Sequence, residues 1–218
     1  MSEPLSRYPS VSLALVRHGQ ARSTSSDSLG ESTPLSELGI RQAKALATRL
    51  LDGEALDAVY ASSLPRAVQT AEPLVRGLGL KSVFDERLAE FDLGEMPLAE
   101  AHGRPDLLYW RHDHAGADGV TLGSFCDRVS AFFDEVARTH LDGRVAVVCH
   151  SGTIDAALRW AFGIAATQPW THDFDISNAS LTELTHWPDG RVAGGAPRYS
   201  SIERIGDDSH LGALRTGL

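Results

Sequence analysis

Apolar positions along the chain follow two alternating rhythms. Val11–Val16 reads Val-Ser-Leu-Ala-Leu-Val, a short apolar run bounded by polar residues, which predicts a buried strand. Asp57–Tyr60 and Ser82–Phe84 are shorter candidates of the same kind, and Val145–Cys149 is the clearest. Between these runs the period lengthens. Ile40, Ala43, Ala47, Leu50 and Leu51 recur at helical spacing; Ser36 can cap that helix, Glu37 suits its first turn, and Asp52-Gly53 stops it. Ser62 or Ser63 is positioned to cap a second helix, with Pro65 in its first turn, Ala67, Ala71, Leu74 and Val75 on its buried face, and Gly77 at its end. Phe125, Val129, Phe132, Phe133 and Val136 mark a strongly amphipathic third helix. A short fourth spans Ile154–Phe162 and is closed by Gly163. Ser180–Leu184 alternates and predicts a late strand, Pro188-Asp189-Gly190 a turn, and the remainder to Leu218 reads as a polar tail.

Strands alternating with helices predict an α/β class: a three-layer α/β/α sandwich around a mostly parallel central sheet. Two segments break the rhythm. Residues 20–34 are rich in Ser and Thr and form a loop of more than usual length, the kind that is functional or mobile. Residues 92–120 are irregular, with scattered Pro, Gly and His, and read as a small cap inserted over one face of a single domain covering 1–218. A chain of 218 residues can bury a sizeable core without covalent staples.

Composition narrows the chemistry. Lys and Arg number 20 against 29 Asp and Glu, a net charge of −9, which argues against a nucleic-acid-binding surface. An acidic protein can still hold an anion in a local basic pocket, because a cleft focuses its own field. Two cysteines, Cys126 and Cys149, cannot make a disulfide framework, and reduced thiols fit the cytosol. Neither a membrane-spanning stretch nor a basic-then-apolar leader is visible, so a cytoplasmic protein without a membrane partner is expected.

Candidate chemistry lies at the strand ends. The first strand ends in Arg17-His18-Gly19-Gln20, and the strongest late strand ends in His150-Ser151-Gly152. In open α/β sheets, ligands bind beyond the carboxyl ends of the strands, so neighbouring strands could turn both imidazoles to one site. Arg66 falls in the first turn of its helix, where a permanently charged, bidentate guanidinium adds to the helix N-terminus as an anion cradle. Imidazole is a competent phosphoryl acceptor, and the leaving alkoxide then needs a proton. Glu90, between Leu88-Ala89 and Phe91, is the candidate acid. Taken singly, each of these residues has an ordinary structural or solvated explanation. Pattern and spacing leave that and a phosphate site both open.

The order of the motifs goes further. Val16-Arg17-His18-Gly19-Gln20, Pro34–Ala43, Tyr60–Ala71, Leu88–Gly94, Val147–Ile154 and Asn178–Thr182 resemble, in family order, the signature blocks of the histidine phosphatase superfamily, also called the phosphoglycerate mutase-like family. The resemblance implies a metal-independent phosphomonoesterase with no cofactor, acting on a small phosphorylated metabolite. His18 would be the nucleophile that becomes phosphorylated. Arg17, Arg66 and His150 would hold the phosphoryl oxygens, Glu90 would protonate the leaving group and then activate water, and Gln20 would sit at the pocket edge.

Three positions depart from the family pattern. Thr24 stands where many members carry Asn, and Ser151 where many carry Gly. Acid-phosphatase members have Asp after the second histidine, so Ser151 favours Glu90 as the donor. Mutase members follow the acid with Arg-His-Tyr, whereas this chain has Phe91-Asp92-Leu93, which favours a phosphatase. A phosphoglycerate-type mutase and a phosphoprotein phosphatase are the alternative enzymes, and a non-catalytic phospho-ligand binding domain is the alternative of another class. A binding-only relative would be free to lose His18 or Glu90. His112-Asp113-His114 offers two metal-type ligands with no evident third, so no metal is expected, and Tyr109 and Trp110 read as cap packing.

Overall fold

The apolar runs and helical stripes assemble as one sheet between two helical layers. The structure, a computed structural model, describes residues 8–22, 32–92, 113, 115, 116, 118–170, 174–188 and 198–216. Within them the chain runs β1 (Val11–Arg17), α1 (Glu37–Leu51), β2 (Ala58–Ala61), α2 (Pro65–Leu78), β3 (Ser82–Phe84), α3 (Leu122–Thr139), β4 (Arg144–Cys149), α4 (Ser151–Ala161), β5 (Leu181–Trp187) and β6 (Tyr199–Asp207). Short 3₁₀ turns lie at Glu86–Leu88 and Ser209–Leu214. The sheet order is β3-β2-β4-β1-β5-β6, with the first four strands mutually parallel.

Alternation along the two central strands divides the core. Val11, Leu13 and Leu15 of β1 and Val145, Val147 and Cys149 of β4 face α3 and α4. Ala14, Val16, Ala146 and Val148 face α1 and α2. Both faces are covered, which is why these strands read as near-continuous apolar runs. The α3 stripe supplies Phe125, Phe132 and Phe133, all fully buried, and Phe133 packs 5.3 Å from Trp160 of α4 between ring centroids. Burying each such ring contributes about 1.5–3 kcal/mol.

Several local expectations are corrected. Neither Ser62 nor Ser63 caps α2: the N-cap is Leu64, whose N–H donates to the Ser62 hydroxyl (3.3 Å). The helix also passes Gly77 and ends at Gly79, which takes the left-handed conformation (φ 67°). Gly77 is instead a contact point, since a Cβ there would lie 2.5 Å from Leu51 Cδ1 of α1. α4 begins at Ser151, directly after β4, and not at Ile154. The supposed polar tail contains β6, and β5 and β6 both run antiparallel to their neighbours. Most of residues 92–120, where a cap is expected, lie outside the described residues.

What matters for the site is where the parallel strands stop. The ladder continues one step past each strand end: His18 N–H donates to Cys149 O (2.9 Å), Ser62 N–H to Val148 O (2.9 Å) and Asp85 N–H to Ala61 O (3.0 Å). The chain leaving all four parallel strands is therefore brought to one edge of the sheet.

Candidate active site

Of the residues singled out from the sequence, His18, His150, Arg17, Arg66 and Glu90 converge on that edge. His18 leaves β1 and is buried. Its Nδ1 lies 2.7 Å from the carbonyl oxygen of Gly19. A carbonyl can only accept, so the proton is on Nδ1 and Nε2 keeps its lone pair. Loss of hydration pushes the His18 pKa well below the usual histidine value, and the charges of Arg17 and Arg66 push it the same way. The ring is thus a neutral, oriented base.

The His150 ring lies 5.1 Å from that of His18, centroid to centroid and edge-on. His150 is the N-cap of α4, and its Nε2 bonds to the Ser62 hydroxyl (2.9 Å). Among the described residues its buried Nδ1 has no protein partner. Burial, then the neighbouring His18 and the guanidinium charges, also hold its pKa well below the usual value.

Arg17 ends β1 and donates from Nη1 to Ile176 O. Arg66 is buried in the first turn of α2. Burial lowers both arginine pKa values, and the proximity of Glu90 opposes this in each. Two guanidiniums close to one carboxyl and two neutral imidazoles form a pocket suited to a doubly charged anion.

Glu90 follows the 3₁₀ turn after β3. Part of the residue remains open, but its carboxyl is turned inward and desolvated, which raises its pKa; the N–H groups of Phe91 and Gly152, then Arg66 and Arg17, counter part of that rise. Oε1 accepts from Phe91 N–H (3.0 Å) and Oε2 from Gly152 N–H (2.9 Å) in the first turn of α4. A Cβ at residue 152 would lie 2.6 Å from Glu90 Oε1, so this approach requires glycine.

A supporting layer escaped the sequence reading. Thr70 Oγ1 accepts from Gly19 N–H (3.0 Å) and donates to Arg66 O (2.7 Å), tying the His18 loop to the turn that holds Arg66. Gln42 accepts from Gln20 N–H (2.7 Å), and Gln20 Oε1 accepts from the Ser36 hydroxyl (2.7 Å). Asn178 donates to His18 O (3.2 Å). Ala179 donates its N–H to both Arg17 O and His18 O and adopts a left-handed φ of 55°; such a conformation costs a side-chain-bearing residue about 1–2 kcal/mol. Ser62 was legible only as a possible cap.

The remaining candidates separate from the site. Cys126 and Cys149 are buried, and burial pushes the Cys126 thiol up to about 11 and Cys149 higher still, away from the thiolate a nucleophile requires. His112, His114, Tyr109, Trp110 and Thr24 lie outside the described residues. Among the described residues no three His, Cys, Asp or Glu side chains are grouped to hold a metal, and no helix is long and apolar enough to cross a membrane.

Comparison with known proteins places the chain among phosphatases and related enzymes by similarity. Phosphoserine phosphatase 1 of Hydrogenobacter thermophilus (strain DSM 6534 / IAM 12695 / TK-6) is 32% identical over 184 residues, which cover 80% of this chain and 86% of the relative. The solved structure of a mycobacterial glucosyl-3-phosphoglycerate phosphatase superposes with a TM-score of 0.72 at 26% identity, covering 91% of this chain and 100% of that one. A phosphoglycerate mutase from Bacillus anthracis str. Sterne shares the fold, with a TM-score of 0.71 at 21% identity over 95% of this chain and 97% of its own. The sequence model of the histidine phosphatase superfamily (branch 1) matches residues 13–194, a span that holds every residue of the pocket, and the chain belongs to that superfamily.

Proposed function

We propose that this protein is a phosphomonoesterase that acts on a small phosphorylated metabolite through a phosphohistidine at His18. The observation that carries the proposal is the His18 tautomer: Nδ1–H is spent on Gly19 O, so Nε2 presents a lone pair beside two guanidiniums. In the first step Nε2 attacks phosphorus, the bond to the leaving oxygen breaks, and protonated Glu90 gives that oxygen its proton. In the second step Glu90, now a carboxylate, takes a proton from water; the water oxygen attacks phosphorus and the N–P bond breaks. Arg17, Arg66 and His150 hold the phosphoryl oxygens throughout. Ser62 occupies His150 Nε2, which leaves Nδ1 as the donor His150 would offer. Gln20, tied through Oε1 to Ser36, would contribute its amide N–H groups at the pocket edge. The phosphatase names of the relatives support hydrolysis, as does Phe91-Asp92-Leu93 after the acid. The protein would work in the cytosol as one domain, with residues 92–120 as a cap that sets substrate choice.

Incubation with a phosphate donor, a basic quench and mapping by mass spectrometry should place the phosphoryl group on His18. Phosphohistidine elsewhere would overturn the assignment. The same preparation should release phosphate steadily from simple monoesters and interconvert 2- and 3-phosphoglycerate little. Rapid interconversion with negligible release would instead identify a mutase.

Two guanidiniums can neutralise the phosphoryl group and neutral His150 can add a hydrogen bond, so neither a Lewis acid nor a water activator is needed from a metal. Activity should therefore be unchanged in EDTA. Loss of activity that Zn²⁺ or Mg²⁺ restores would revive His112 and His114 as ligands.

Gly152→Ala tests the seat of the acid. Its methyl would displace the Glu90 carboxyl, and a shift of about 1 Å at a reacting group can cost roughly 10²-fold in rate. Steady-state kinetics should show that loss in kcat while the melting temperature stays near wild type.

A further inference from the structure

We infer that Arg128, on the outer helix α3, is a positioning residue for Glu90: its guanidinium fixes the main chain that aims the carboxyl into the pocket. The inference rests on the reading of Glu90 as proton donor.

The contacts are concentrated on one short segment. Arg128 Nη1 lies 3.0 Å from Glu86 O, 2.9 Å from Arg87 O and 3.0 Å from Ala89 O. The one carbonyl it skips, Leu88 O, accepts from Thr153 Oγ1 of α4 (3.3 Å). Four consecutive carbonyls before Glu90 are therefore claimed by side chains from two different helices. The first three belong to a 3₁₀ turn, in which Glu86 O also accepts from Ala89 N–H (3.0 Å) while the last carbonyls lie beyond the turn's own backbone bonds. The guanidinium carbon sits 5.0 Å from the centre of the Phe125 ring, and Phe125 is fully buried, so the donor is braced against the core. The neighbouring Arg87 does something different: it turns outward to Asp85 and Glu135.

The arrangement answers a mechanical problem. Glu90 lies on irregular chain, where no helix or strand fixes its backbone. Its carboxyl is held by Gly152 N–H, but a hydrogen bond at the tip does not fix the root of a flexible side chain. Arg128 and Thr153 fix the root. A group that must deliver a proton to one oxygen needs both constraints, because catalysis depends on alignment at the reacting atoms.

Arg128→Ala is the test, read with two substrates of unlike leaving groups. In single-turnover measurements of the phosphorylation step, the rate with an alkyl phosphate should fall roughly 10- to 100-fold, the scale of lost alignment, while that with nitrophenyl phosphate, which needs little acid help in this step, should fall less than about 3-fold. KM should move little for either substrate, because the phosphate-holding residues are untouched. Arg128→Lys, which can reach some of the carbonyls, should recover part of the loss. In a Glu90→Gln background Arg128→Ala should add little, since both changes remove one function. Equal losses on the two substrates, a loss confined to KM, or additive losses in the double variant would overturn the inference. If Arg128→Ala does not fold, Arg128→Lys and Arg128→Gln decide by the same criterion of leaving-group discrimination. Glu90→Gln alone separates the two ideas. If it fails to discriminate between leaving groups, the donor reading fails and the Arg128 inference falls with it. If it discriminates and the Arg128 variants do not, only the inference falls.

Discussion

Replacing His18 with alanine is expected to abolish phosphate release, with kcat falling roughly 10⁴- to 10⁶-fold, the scale seen when a covalent nucleophile is removed. The loss should be chemical and not structural. Among the described residues the His18 side chain makes one hydrogen bond, to the carbonyl of its own neighbour, while the loop is held through the backbone by Cys149, Asn178 and Ala179. Thermal melting should therefore change little. Arg17, Arg66 and His150 remain, so inorganic phosphate should still bind, as titration calorimetry can show. Retention of more than a few per cent of wild-type turnover would mean that another group accepts the phosphoryl. Unaltered function of the variant would favour a domain that only binds.

Glu90→Gln should produce the second large effect, and a selective one. General acid help is worth about 10²–10⁴-fold, or about 3–5 kcal/mol of barrier, when the leaving group is a poor one. An alkyl phosphate should lose that factor, and nitrophenyl phosphate far less in its first step. The pH profile follows from the same groups. Desolvation raises the Glu90 pKa, and the donor must be protonated, so kcat/KM for alkyl phosphates should fall as pH rises through that raised value. The nucleophile must be neutral, and burial with Arg17 and Arg66 depresses His18, so the acidic limb should lie well below the usual histidine range. Glu90→Gln should remove the basic limb and leave the acidic one. Equal losses on both substrates with an unchanged profile would reduce Glu90 to a structural role.

The parts of this site that were legible in the sequence are those whose chemistry is carried by residue type at a strand end, in a first helical turn or beside an apolar pair. His18, Arg17, His150, Arg66 and Glu90 all meet at the pocket. The twin faces of β1 and β4 were legible too, because burial on both sides leaves an unbroken apolar run. Supporting contacts were not. Thr70 lies one turn into α2 from Arg66, and nothing in its spacing says that its hydroxyl reaches Gly19 across the fold. Ser62 sits where a helix cap is expected, and only the pairing of β2 with β4 turns it toward His150. β6 was missed for a different reason. It is a half-exposed edge strand carrying Glu203, Arg204 and Asp207, with irregular register against β5, so it lacks the alternation that reveals a strand. The antiparallel direction of β5 depends on which neighbour it meets, a tertiary fact no single strand encodes.

The pairing of β1 with β4 sets Arg17 beside Cys149 and brings the two histidines together from distant parts of the chain. That places the pocket among the long-range contacts of the molecule, those whose loop closure costs most entropy and which form slowly. Each helix can gain its local hydrogen bonds early, yet no partly folded chain lacking this one strand pair can hold a phosphoryl group. A half-made molecule is thus inert by construction. Catalytic competence appears only when the centre of the sheet has closed.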